Sequence, residues 1–150
     1  MPCEVWFYHL ERTSLDQALP ELLSKTRGRG WKAVVRSPDP ARLQQLDAWL
    51  WSWRDDSFLA HGLDHEPFPE RQPILLTGGE AVPNGAEAVF LLDDAEPGEL
   101  DGFQRCLVLF DGNDDAAVKA ARARWTAIKA RGLPVSYWRQ TEDGSWTRQA

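Results

Sequence analysis

Two hydrophobic periods alternate along this chain, and the places where one gives way to the other mark its elements. Residues 4–10 (EVWFYHL) are short and rich in aromatic and β-branched side chains, the pattern of a buried strand. Ser14 with Gln17 three positions on has the form of a capping box. Leu15, Leu19, Leu22 and Leu23 then follow at helical spacing until Gly28 and Gly30, with Pro20 expected to limit the regularity of that helix. A second strand is expected at 32–36 (KAVVR). A second helix starts from Ser37-Pro38-Asp39-Pro40, carries Leu43, Leu46 and Leu50, and ends near Arg54.

Residues 55–72, rich in Pro, His and acids, read as a loop. Strands are expected at 73–77 (PILLT) and 87–92 (EAVFLL), separated by the turn-like Pro83-Asn84-Gly85, and a fifth at 105–110. Asn113 or Asp114 opens the clearest helix, which has acids in its first turn and bases toward its end, and which stops at Gly132 before Pro134. VSYWRQ and SWTRQ around Asp143-Gly144 form a hairpin pattern. Strands alternating with helices imply an α/β fold. The expectation is a single domain over 1–150 with a largely parallel sheet and helices on both faces.

Composition adds bounds. At 150 residues the chain can bury one sizeable core without metals or disulfides, and 43% hydrophobic with 27% charged residues is ordinary for a folded protein. Cys3 and Cys106 stand alone in strand-like runs and read as buried thiols. No basic leader and no apolar stretch near 18 residues is present, so a cytoplasmic protein is expected. A net charge of −6 argues against a main role in neutralising phosphates. Yet residues 116–139 hold Lys119, Arg122, Arg124, Lys129, Arg131 and Arg139 and no acid, so a basic face sits on an acidic body.

Catalytic patterns fail one by one. The connection after the first strand, Glu11-Arg12-Thr13-Ser14, has no glycine to let backbone amides approach a phosphate, and Gly78-Gly79 is not followed by Gly-Lys-Ser/Thr. His61 and His65 beside Asp64 and Glu66 would need one helical face to bind metal, which Gly62 and Pro67 oppose. Asp55, Asp56 and Ser57 lack any catalytic spacing and read as turn or cap residues. An enzyme whose acidic loop around Asp55, Asp56, His61 and His65 binds a divalent metal, and a direct single-strand DNA binder built on tryptophans and the basic helix, remain the alternatives.

Binding patterns are stronger. Trp49, Trp51 and Trp53 recur at spacing two, which on a helix turns each about 200° from the last. Either at least one of them is displayed or the following loop wraps them all. On the last helix Val118, Ala121, Trp125 and Ile128 form one stripe, and Lys119, Arg122, Thr126 and Lys129 an adjacent one. An acidic peptide ending in an apolar residue would satisfy both stripes; bases that merely balance the helix dipole are the alternative.

The opening Phe7-Tyr8, the run Leu46-Asp47-x-x-Leu50-Trp51, the segment Ser57-Phe58-Leu59-Ala60-His61-Gly62-Leu63, and Ala121-Arg122-x-Arg124-Trp125 followed by Gly132 carry a resemblance across nearly the whole chain. Together they resemble the chi subunit family of bacterial DNA polymerase III, part of the clamp-loader assembly. The resemblance implies a Rossmann-like α/β fold without nucleotide or other cofactor, no catalysis, and two protein-binding faces. One face would hold the acidic, Phe-terminated tail of single-stranded DNA-binding protein, with Arg122 at the carboxylates, Trp125 beside the Phe pocket, and Lys119 or Lys129 assisting. Family members often carry a further Lys where this chain has Thr126. The other face, matched by Trp51 and Phe58, would engage the psi subunit or a repair helicase. DNA would be met only indirectly and a membrane not at all.

Overall fold

The computed structural model describes residues 3–53, 59–143 and 145–150. Its strands form a single sheet: β1 (Glu4–Leu10), β2 (Ala33–Arg36), β3 (Gly62–Leu63), β4 (Ile74–Thr77), β5 (Ala88–Leu91), β6 (Arg105–Asp111), β7 (Val135–Gln140) and β8 (Trp146–Arg148). Their spatial order is β3-β4-β2-β5-β6-β1-β7-β8, and every pairing is parallel except β7 with β8. The described helices are α1 (Leu15–Gly28), α2 (Pro40–Ser52) and α3 (Asp115–Ala130). This is the expected α/β architecture with helices on both faces. None of these helices is long and apolar enough to cross a membrane.

Alternation along the strands divides the core. Tyr8, Leu10, Val35, Leu107 and Leu109 face α1 and α2, while Val5, Phe7, Val34, Val89 and Val108 face α3. Both sides of the central strands are therefore apolar, and β2, β4 and β5 are buried along their whole length. Cys3 and Cys106 are buried free thiols on the α3 side; burial pushes the Cys3 thiol up to about 11 and raises that of Cys106 further.

The helix starts follow the sequence signals. Ser14 and Gln17 make both hydrogen bonds of the capping box, and Asp39 caps α2 with Pro40 in its first turn. The expected irregularity at Pro20 is absent, for a tertiary reason. Pro20 leaves the Asp16 carbonyl without its helical donor, and Trp49 Nε1–H of α2 supplies that bond at 2.5 Å. The segment read as loop at 55–72 differs as well, because Gly62–Leu63 pairs with Leu75–Leu76 as an edge strand and Pro69–Arg71 makes a 3-10 turn.

Candidate functional site

The flank of α3 that borders β7 joins a basic stripe to an aromatic one. Asp114 caps the helix by accepting from the amides of Ala116 and Ala117, and Lys129 lies in the last turn, where the helix dipole favours a cation. Ala121 and Ile128 are buried against the sheet. Trp125, half-buried, packs edge-on to Phe7 with centroids 5.4 Å apart and to Tyr137 of β7 at 6.0 Å. Lys119, Arg122, Thr126 and Lys129 are exposed beside it, as the helical period requires. Among the described residues Lys119, Arg122 and Lys129 form no ion pair. The Thr126 hydroxyl donates to the Arg122 carbonyl at 3.1 Å and adds no charge to this stripe.

Beneath this flank lies a polar pair that the sequence reading did not single out. β1 runs between β6 and β7, which places His9 opposite Phe110 on one side and Arg139 on the other. His9 is buried, 7% exposed, and its Nδ1 shares a 2.6 Å hydrogen bond with the Tyr137 hydroxyl. A Cβ on Gly112 would meet the His9 ring at 2.1 Å, so any larger residue there would have to displace the ring. Burial, then Arg139 and Arg122, hold the His9 imidazole below its ordinary range, although Glu11 at 3.7 Å and Asp111 oppose this. Burial raises the Tyr137 phenol. Arg139 is occupied by a two-pronged pair with Glu11 at 2.9 and 3.0 Å.

The opposite flank of α3 is different in kind. Arg124 reaches Asp94 at 2.9 Å and Glu96 at 3.0 Å, and Arg131 donates to the Gly98 carbonyl. That side borders a crevice of about 810 Å³ at the carboxyl ends of β1, β5 and β6, where open α/β sheets bind their ligands; neither Arg122 nor Trp125 lines it. Acids dominate its rim through Asp93, Asp94, Asp111 and Asp114. The Asp114 carboxylate also occupies the helix amides that a phosphate would need. Acids on its rim and a carboxylate already on its helix amides disfavour a phosphate in this crevice, whereas the flank beside β7 presents exposed cations next to aromatic rings.

Of the two residues expected at a second face, Trp51 is among those described. Trp51, at the end of α2, is 53% exposed and leans on His61 with ring centroids 4.2 Å apart. Trp49 and Trp53 are half-buried, so one of the three tryptophans is displayed, and Phe68, which the sequence reading passed over, is 56% exposed. Phe58 lies outside the described residues, as do Asp55, Asp56 and Ser57. His61 is buried and committed to the Leu59 carbonyl (2.7 Å) and to Asp47, whereas His65 is exposed; the two do not converge. Among the described residues no group of three His, Cys, Asp or Glu is placed to hold a metal ion.

Comparison with known proteins bears on the chain as a whole. Residues 2–136 match the family model described as DNA polymerase III chi subunit, HolC. The chain is 28% identical over 119 residues to the DNA polymerase III subunit chi of Pseudomonas aeruginosa, covering 79% of this chain and 82% of that protein. It is 26% identical over 89 residues to the probable DNA polymerase III subunit chi of Rickettsia prowazekii, covering 59% of this chain and only 54%, about half, of that protein. All of α3 lies inside the family match, and Tyr137 falls one residue beyond its end.

Proposed function

The chain belongs to the DNA polymerase III chi subunit family, accessory subunits of the replicative polymerase, and from this we propose a non-catalytic adaptor that grips the acidic C-terminal tail of single-stranded DNA-binding protein. The observation that carries the reading is the α3 flank, where cations without carboxylate partners among the described residues stand beside a half-buried Trp125. Arg122 takes the tail's carboxylates, with Lys119 and Lys129 adding long-range attraction. Its terminal aromatic side chain packs against Trp125 and Tyr137.

The mechanism is avidity. One modest contact with each of many tails on a coated strand raises the local concentration of the polymerase assembly near its template, and no bond is made or broken. The clamp-loader assembly is the setting. Trp51, with Phe58, serves the second partner, a psi subunit or a repair helicase, so that the two faces bridge two proteins. An exposed tryptophan at a helix end is a fitting anchor for such an interface.

Titration of the chain with a synthetic acidic peptide ending in Phe, and with the same peptide lacking that Phe, tests the tail reading. Binding of the first, weakened as salt rises, with loss of the second is expected. Equal binding of both, or of neither, contradicts it.

A further inference from the structure

We infer that the His9–Tyr137 pair links capture of the anionic chain end to uptake of a proton, so that the α3 flank beside β7 grips more tightly as pH falls toward 6. The inference rests on the tail-binding reading of the α3 flank and adds its regulation. The pair lies beneath that flank: Tyr137 packs against Trp125 through its ring and bonds His9 through its hydroxyl. The His9 ring lies close against Gly112 and edge-on to Phe110, with centroids 5.3 Å apart.

Among the described residues, the charged or titratable groups acting on His9 come from four places in the fold. Glu11 lies just past the end of β1, Asp111 ends β6, Tyr137 and Arg139 come from β7, and Arg122 from α3. Glu11 is already engaged by Arg139, which leaves Arg122 as the neighbour whose charge a ligand would neutralise. Without a ligand, burial and the two arginines disfavour a further positive charge, which favours neutral His9. A carboxylate seated on Arg122 removes one of these opponents and adds a negative charge, which favours the imidazolium.

The hydrogen bond carries the same change. With His9 neutral and its proton on Nε2, the Tyr137 hydroxyl donates to Nδ1. When solvent supplies a proton, Nδ1–H donates to the phenol oxygen instead, and the phenol proton is released to point at the ligand. One proton enters from water, none is lost, and the flank gains a donor. By linkage, an anion that raises the affinity of His9 for a proton is itself bound more tightly when His9 is protonated. The gain appears as pH falls through the bound-state value and levels off below the free-state one.

Isothermal titration of the full chain with the acidic, Phe-terminated peptide, between pH 8 and pH 6 at fixed ionic strength and in buffers of different ionisation enthalpy, measures this directly. Expected are net proton uptake and roughly fivefold tighter binding at pH 6 than at pH 8. His9→Gln should bind with no pH dependence, and Tyr137→Phe, which keeps the ring, should lose the gain at low pH. Peptide binding without proton uptake by the unaltered chain, or an unchanged pH profile in His9→Gln, overturns the inference and leaves the tail site standing. Absence of peptide binding at every pH overturns both.

Discussion

Arg122 and Arg124 sit two residues apart on one helix, and the surroundings of each give it a different occupation. Arg124 faces the acidic segment after β5, where Asp94 and Glu96 clasp its guanidinium at 2.9 and 3.0 Å and leave its side chain only 16% exposed. Arg122 faces β7, exposed, beside an aromatic edge and without a carboxylate partner among the described residues. A cation already paired helps to seat the helix; a cation left open is available to a ligand. The count of bases on α3 is therefore a poor guide to its function, and the location of their counter-charges is a good one.

Three substitutions bear on that contrast. Ile128→Ala removes the buried seat on which both flanks depend, and a destabilisation of about 2–5 kcal/mol is expected in chemical denaturation; a loss below 1 kcal/mol would mean that something other than this contact holds α3. Arg122→Ala should leave folding stability nearly unchanged while weakening the acidic peptide by about 1.5–3 kcal/mol, read by calorimetry. Arg124→Ala should do the reverse. Because Asp94 and Glu96 are mostly exposed, its stability loss should stay near 0.5–1 kcal/mol, with peptide affinity unchanged. If the two arginines prove interchangeable in either assay, the division between the flanks is wrong.

Much of this architecture was readable because it is locally encoded. The Ser14–Gln17 box, the Asp114 cap and the two stripes of α3 each depend on residues within a few turns of one another, and each is where the sequence put it. Features requiring distant partners were not readable. The regularity of α1 through Pro20 depends on an indole from α2, 33 positions from the carbonyl it bonds. Likewise His9 and Tyr137 are 128 positions apart and meet only because β1 and β7 are neighbours in parallel register. Strand alternation in EVWFYHL and VSYWRQ places Phe7 and His9 on one face and Tyr137 and Arg139 on one face, so knowledge of that single pairing would have exposed the pair. Lys119, Arg122, Trp125 and Lys129 were legible as a surface, but which α3 bases lacked partners depended on where the segment after β5 came to rest.

Chemical-shift mapping of the isotope-labelled chain during addition of the acidic, Phe-terminated peptide tests the central claim most directly. The account predicts that the Trp125 indole, the Arg122 backbone and guanidinium signals and the Tyr137 amide move together and saturate together, while signals from Asp94, Glu96 and Arg124 stay still. Shifts concentrated around Arg124 and the acidic crevice, with Arg122 and Trp125 unmoved, would contradict it.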